Sequence, residues 1–243
     1  MGMTVPADDP EPNDPTRSGP PLLQADGAWL SHNEIEQLCL KAARGAGMSW
    51  GLAEEAGFAA AWLARRDVDG PAAILSQITQ ADGRSWHEIC PEVTAGQVTA
   101  RDGQELCPIA LGTVLCDRGN NFIGSKQEPL LSVGPITYPV LLLPFLSDIS
   151  KLCALSISLE WSGRRVFVGP NGEVTGDIPA LESEPSIHAQ IKVGSGPKPA
   201  NANALRAFFV SEDTLSGLNR YALRTTVPAS EASRAGAGAD DSD

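Results

Sequence analysis

Apolar residues recur at helical spacing in the first third of the chain. Between Ile35 and Ala42 they occupy positions i, i+3, i+4 and i+7, which predicts a first helix that runs to about Arg44. Ser31 and Glu34 stand at the start of this helix with the spacing of a capping box, in which each side chain accepts a hydrogen bond from the other residue's backbone amide. The sequence therefore predicts a capped amphipathic helix here.

Two further helices are predicted directly after the first. Ser49 can cap a second helix, whose apolar face runs over residues 52–63 and consists largely of Ala and Leu. Gly70 and Pro71 restart the chain, with proline at a first helical position, and this third helix ends near Ala81. Because many positions are Ala or Gly, another backbone can come close, and we expect a tight helix pair.

The pattern changes after Ala81. Turn pairs surround short apolar runs such as residues 109–115, which indicates irregular structure with short strands over residues 82–127. Apolar or alternating runs then predict β-strands, with a hairpin turn at residues 170–173. The predicted strands cover residues 137–143, 153–161, 164–168 and 187–193. Ser211 opens a last helix near residues 211–223.

Helices first and strands later favour an α+β fold over an alternating α/β fold. We predict an N-terminal helical part over residues 30–81, packed on a mainly antiparallel β part over residues 105–195, with a C-terminal helix. These elements form a single domain over residues 27–230. Residues 1–26 are rich in Pro, Asp and Gly, which predicts a disordered extension, and residues 231–243 form a flexible acidic tail.

The formal charge of −12 over 243 residues is concentrated at the ends of the chain. The two terminal segments carry −4 and −3, and the remainder has no cluster of Lys and Arg, which argues against nucleic acid and anionic membrane as partners. Five irregularly spaced cysteines do not form a secreted disulfide framework. With neither a secretion signal nor an apolar run of membrane-spanning length in the sequence, we predict a cytoplasmic protein.

Two stretches carry a family resemblance. Residues 41–57, Lys-Ala-Ala-Arg-Gly-Ala-Gly-Met-Ser-Trp-Gly-Leu-Ala-Glu-Glu-Ala-Gly, and residues 227–234, Val-Pro-Ala-Ser-Glu-Ala-Ser-Arg, with the Gly-Ala-Gly that follows, resemble a bacterial family known only as a domain of unknown function. The resemblance extends over residues 28–243. It implies that the family domain begins near Leu30, and it implies no mechanism.

The glycines of residues 45–51 invite comparison with a dinucleotide-binding loop. That loop needs Gly-x-Gly-x-x-Gly directly after a strand, whereas a helix precedes this run and its spacing is one residue too long. A smaller anion such as a carboxylate can still use the amides after Ser49, with Arg44 nearby. Trp50 either stacks on such a ligand or is buried as a large apolar side chain.

Two carboxylates stand in the first turns of the second helix. Glu54 either complements the helix dipole or contributes to a ligand site. Glu55 lies on the apolar stripe, and a carboxylate facing a helix pair needs a partner or a shifted pKa. Arg44 and His32 are its nearest candidate partners in sequence. Glu55 is therefore either half of a structural ion pair or the polar floor of a ligand pocket.

The remaining candidates are weaker signals. His87 can act as an acid or base beside Cys90, but no motif frames that cysteine as a nucleophile. Thiolates and imidazole suit zinc, yet the cysteine spacing matches no standard zinc site, so we predict no metal and no cofactor. Asn120 and Asn121 fall in a predicted polar loop, where binding groups are common and turn chemistry is an equal explanation.

Two hypotheses for function remain. The first is a small-molecule-binding or accessory subunit of a catabolic assembly, with a protein partner or a homo-oligomer. The second is a cofactor-independent hydrolase or isomerase that acts on a small carboxylate-bearing metabolite. In the second, Arg44 and the amides after Ser49 hold the carboxylate, and Glu55 or His87 is the general base.

Overall fold

A computed structural model describes residues 26–85, 88, 90–94, 97–123, 130–194 and 206–226 of the chain. Seven α-helices and nine β-strands lie in these residues, and most strand pairs are antiparallel, which confirms the predicted α+β class. The predicted disordered extension, except Asp26, and the whole of the acidic tail lie outside the described residues. The elements are β1 (Gly27–Ser31), α1 (His32–Gly45), α2 (Trp50–Ala64), α3 (Gly70–Ala81), β2 (Pro91–Thr94), β3 (Gln97–Ala100), α4 (Pro108–Ile123), β4 (Leu130–Thr137), α5 (Leu143–Cys153), β5 (Ile157–Trp161), β6 (Arg164–Val168), β7 (Val174–Gly176), α6 (Ile178–Glu182), β8 (Ser186–Val193), β9 (Ala207–Ser211) and α7 (Glu212–Ala222).

The first helix begins and ends as the sequence predicts. The Ser31 amide donates to Glu34 Oε2 at 2.7 Å, and the Glu34 amide donates to Ser31 Oγ at 3.3 Å, so the capping box is formed. At the other end, Gly47 has φ +99°, and its amide and the Met48 amide donate back to the last turn of α1. This left-handed glycine ends α1 and turns the chain into α2.

Close packing of α1 depends on two glycines. A Cβ on Gly57 of α2 would lie 2.5 Å from the Glu36 carbonyl oxygen of α1. A Cβ on Gly45 would lie 1.8 Å from the carbonyl oxygen of Tyr221 in α7. The small residues of this region therefore let two other helices approach α1 at backbone distance, as the Ala/Gly pattern predicts.

A two-stranded ribbon joins the two ends of the described chain. β1 pairs antiparallel with β9, with Trp29 opposite Phe209 and their rings 5.7 Å apart. Each strand ends at a serine that caps the helix after it, Ser31 for α1 and Ser211 for α7. The sequence predicts both caps and the last helix, but it does not predict the ribbon.

The second sheet has seven strands in the order β2-β3-β4-β8-β5-β6-β7. Only the β3–β4 pair is parallel. Alternate residues of the central strand β8 are buried, so one face of the sheet packs on the core and the other face is open. Strands β6 and β8 coincide with predicted strands to within one residue, and β7 follows the predicted hairpin turn.

One helix occupies a segment for which irregular structure and short strands are predicted. α4 covers the apolar run of residues 109–115 and continues to Ile123. Three successive residues, Ile109, Ala110 and Leu111, are all buried, so the run is apolar around the whole helix and shows no helical periodicity. A Cβ on Gly112 would lie 2.3 Å from the Phe145 ring, which accounts for a glycine inside the helix.

Two predicted strands differ in the structure. The strand predicted at residues 137–143 is wrong except for Thr137, because Tyr138 has φ +40° and Pro139 begins a 3₁₀ turn that leads into α5, whereas β4 covers the preceding residues 130–137. The strand predicted at residues 153–161 begins only at Ile157, because α5 ends at Cys153 and Ala154 has φ +52°. Both apolar runs lie in the core, so their composition alone does not separate helix from strand.

Candidate functional site

The junction between α1 and α2 holds three of the predicted site residues. Arg44 Nη1 donates to the Met48 carbonyl oxygen, and the Arg44 guanidinium lies 4.7 Å from the centre of the Trp50 ring. The indole of Trp50 is 63% exposed, so it is not buried in the core. Ser49 Oγ accepts from the Leu52 amide at 3.5 Å and caps α2. The turn of Gly47 therefore holds a guanidinium against an open aromatic ring.

Arg44 and Trp50 border a depression that we call the Arg44 depression, with a volume of about 420 Å³. α1 contributes Leu40, Lys41 and Arg44, α2 contributes Trp50, and the 3₁₀ turn after α7 contributes Arg224 and Thr225. Its size lies within the range of small-molecule sites. The close approach of Gly45 to Tyr221 brings this 3₁₀ turn against the end of α1.

The Arg44 depression has an excess of positive charge. Arg224 pairs with both carboxylate oxygens of Asp82, at 2.9 and 3.1 Å, and this pair raises the pKa of Arg224. Lys41 and Arg44 form no ion pair with a carboxylate of the described residues. Two cations beside the C-terminal end of α1 complement its dipole and also leave charge for an anion.

Glu55 lies in a different depression, of about 550 Å³, that we call the Glu55 depression. It is lined by Glu55, Cys116, Phe145, Asp148, Ile149, Lys151 and Leu152. Burial raises the pKa of Glu55, and Asp148, Glu54 and Asp117 raise it further. Neither of the partners expected for Glu55, Arg44 and His32, is among these groups. The structure thus brings Glu55 together with other acids.

Cys116 is the only thiol among the residues lining the Glu55 depression. Its thiol lies 3.8 Å from the Phe145 carbonyl oxygen, and burial raises its pKa to about 12, with Asp148 and Glu55 adding to the effect. Because the thiolate is the reactive form, this cysteine is a weak nucleophile at neutral pH. The Glu55 depression therefore contains a carboxyl group with a raised pKa, Glu55, near a thiol that is unreactive at neutral pH, Cys116.

The other predicted site residues are dispersed. Glu54 and Ser49 are exposed and line neither depression. Asn120 and Asn121 lie in the last turns of α4, so the prediction that they belong to a loop is wrong. His87 lies outside the described residues. Among the described residues, no group of three or more His, Cys, Asp and Glu side chains is arranged to hold a metal ion.

Sequence reasoning missed the other two cations of the Arg44 depression, Lys41 and Arg224. Lys41 stands three positions before Arg44, a spacing that places both on one helix face, so its signal was available. Arg224 is 180 positions from Arg44, and only the packing of α7 on α1 brings it there. No sequence pattern links these two residues.

Comparisons with known proteins show what the chain resembles. No curated protein matches it. A solved structure of malate dehydrogenase from Entamoeba histolytica is 13% identical, with a TM-score of 0.40, and the match covers 58% of this chain and 44% of that chain. No helix in the described parts of the chain is long and apolar enough to cross a membrane. Residues 30–106 match the model of a protein family of unknown function, DUF3726, which confirms over that part of the chain the resemblance to a family without an assigned function.

Proposed function

We propose that this protein is a non-catalytic small-molecule-binding protein that takes a small organic acid in the Arg44 depression. The observation that carries the proposal is the Arg44 guanidinium, held 4.7 Å from the centre of an exposed Trp50 ring and beside Lys41. A guanidinium matches the planar geometry of a carboxylate, and the indole offers an apolar face to the body of the same ligand.

The local contacts favour a preorganised site. Arg44 is fixed through Nη1 by the Met48 carbonyl oxygen, and Arg224 is fixed by Asp82. Side chains that are already ordered lose little entropy when a ligand binds. The remaining N–H groups of Arg44 and the ammonium of Lys41 supply donors for a carboxylate.

The alternative of a hydrolase or isomerase requires Arg44 and Glu55 to contact one substrate. The two residues line separate depressions, which supports binding over catalysis as the proposal. The enzyme alternative stays a prediction that rests on Glu55 or on His87, which lies outside the described residues.

An accessory role in a catabolic assembly, in the cytoplasm and with a protein partner or a second copy, extends the same proposal. Trp29, Leu152 and Leu223 are large apolar side chains that are 66–77% exposed, and they are available for such a contact. Cross-linking and sedimentation of the full chain would test this extension, which fails if the protein is strictly monomeric and captures no partner.

Benzoate is a suitable probe for the Arg44 depression, because it combines a carboxylate with a flat apolar ring. We expect calorimetric titration to give binding by the full chain that Arg44→Gln weakens about tenfold, with Arg44→Lys intermediate. Trp50→Phe should keep part of the affinity, whereas neutral benzamide should not bind. Arg84→Gln, outside the depression, serves as the control. Equal benzoate affinity in Arg44→Gln and the unmodified protein would refute the proposal.

A further inference from the structure

The open face of the seven-stranded sheet carries a third concave site, separate from both depressions. Its volume is about 570 Å³, and we call it the sheet groove. The register of the strands places polar side chains in one row across five strands, each directly opposite the next. In order, this row is Gln97, Ser132, Gln190, Glu160 and Arg165.

An irregularity of β4 helps to form the groove. The register between β4 and β8 shifts between Val133 and Ile136, where Gly134 has φ +127°. A Cβ on Gly134 would lie 2.8 Å from the Ile187 carbonyl oxygen and 3.3 Å from the ring of His188. A residue without a side chain therefore leaves space beside His188, which is exposed in the groove. Bulges of this kind commonly redirect side chains at functional sites.

One end of the row is an organised cluster of charges. Glu160 accepts from Arg165 Nε at 2.7 Å and from Lys192 Nζ at 2.5 Å, and the Ser158 hydroxyl donates to it at 3.3 Å. These donors lower the pKa of Glu160, so the carboxylate is ionised at neutral pH. One negative charge shared by two cations leaves a net positive charge at this end. The side chains of Arg165 and Lys192 are 49% and 41% exposed, so they retain donors for a further anion.

The rest of the groove has a different chemistry. Gln97, Ser132 and Gln190 are uncharged side chains that offer both donors and acceptors, and His188 adds ring nitrogens beside them. Hydroxyl groups of a ligand also donate and accept, so they match this set better than an apolar body or a second charge does. The positive end and the neutral row together specify an anion at one end of a chain of hydroxyls.

We propose that the sheet groove binds a small polyhydroxylated acid, with its carboxylate at Arg165, which lines the groove, and at Lys192, which adjoins it through Glu160, and with its hydroxyls along Gln190 and Ser132. The position of this site on the sheet makes it independent of the Arg44 depression, which lies between α1, α2 and the turn after α7. The proposal therefore assigns the chain a second ligand class, in which hydrogen bonds to hydroxyls accompany the charge contact, whereas an aromatic ring accompanies it in the Arg44 depression.

The test is calorimetric titration of the full chain with gluconate, followed on the amide signals of β5 and β8 by NMR. We expect gluconate to bind more tightly than sorbitol, which lacks the carboxylate, and than propionate, which lacks the hydroxyls. Arg165→Gln and Gln190→Ala should each weaken gluconate binding by about fivefold to tenfold, while Arg165→Lys restores part of it.

Two controls separate this proposal from the proposed function. Arg44→Gln should leave the gluconate response of the β5 and β8 amide signals unchanged, and Arg165→Gln should leave benzoate binding at the Arg44 depression unchanged. Circular dichroism of each variant verifies that it is folded. The proposal is overturned if gluconate does not bind, if it binds no more tightly than sorbitol or propionate, or if folded Arg165→Gln and Gln190→Ala both keep the affinity of the unmodified protein.

Discussion

Glu55 illustrates what a single residue reveals from sequence. Helical periodicity places it correctly on a partly buried face of α2, because its position in the apolar repeat is a local property. Two of the acids that surround it in space are distant from it in sequence. Asp117 and Asp148 belong to α4 and α5, which the sequence patterns do not identify as helices, so the acidic surroundings of Glu55 could not be predicted.

The raised pKa of Glu55 leads to a prediction about stability and pH. Below its ordinary pKa of 4.5 the carboxyl group is protonated in both the folded and unfolded states. As the pH rises above 4.5, the unfolded state loses its proton first, so the stability that Glu55 contributes falls until the pH passes the folded-state pKa. Glu55→Gln removes this loss. We expect the variant to gain on the order of 0.5–1 kcal/mol relative to the unmodified protein between pH 4 and pH 7, as measured by urea unfolding.

Glu34 provides a matched control of opposite sign. Its hydrogen bonds to the Ser31 amide and hydroxyl lower its pKa, so the carboxylate contributes stability that is present above the ordinary pKa and is lost as the pH falls through the folded value. Glu34→Gln should therefore lose stability relative to the unmodified protein at pH 7 and less at pH 4. If the stability changes of both variants depend on pH in the same direction, burial and neighbouring acids do not raise the pKa of Glu55 as stated.

At the scale of elements, the sequence predicts local signals well and buried apolar runs poorly. Ser31, Ser49 and Ser211 each cap the helix that the sequence assigns to them, because a cap is decided by a few adjacent residues. α4 is missed because it is apolar on all sides where it crosses the core, and the period that identifies a helix depends on one side facing water. The same holds for the candidate site. The local glycine pattern draws attention to Arg44, whereas no local pattern identifies Arg224.

The α1–α2 contact supports a prediction with a control inside the same helix. Replacing Gly57 with Ala introduces a Cβ at 2.5 Å from the Glu36 carbonyl oxygen, and backbone cannot move aside as a flexible side chain can. Although alanine is the better helix former, we expect Gly57→Ala to destabilise the protein by about 1–3 kcal/mol. Gly51 has no atom within 4 Å of its added Cβ, so Gly51→Ala should be neutral or stabilising by up to about 1 kcal/mol.

Thermal and urea unfolding of the two glycine variants measure this difference directly. Because both substitutions are the same chemical change in the same helix, helix propensity cancels in the comparison. A Gly57→Ala variant as stable as Gly51→Ala would mean that α1 and α2 are not packed at backbone distance.

At the scale of the molecule, one buried polar contact ties the helical part to the seven-stranded sheet. The Thr137 hydroxyl at the end of β4 lies 2.5 Å from Gln77 Oε1 of α3 and 3.1 Å from the Leu106 carbonyl oxygen, and both side chains are almost fully buried. Thr137→Val keeps the shape of the side chain and removes the donor. A buried acceptor without a partner costs about 1–3 kcal/mol, so we expect the variant to lose stability by that amount.

The same variant tests whether residues 27–230 fold as one domain. If α3 and the sheet unfold together, circular dichroism and tryptophan fluorescence will report one coincident urea transition that Thr137→Val moves as a whole. Thr113→Val is the control, because the Thr113 hydroxyl donates to the Ile109 carbonyl oxygen within α4 and joins no separate elements; its effect should stay below about 1 kcal/mol. Two separate transitions, of which Thr137→Val moves only one, would instead divide the helical part from the sheet, and the Arg44 depression and the sheet groove would then belong to independently stable units.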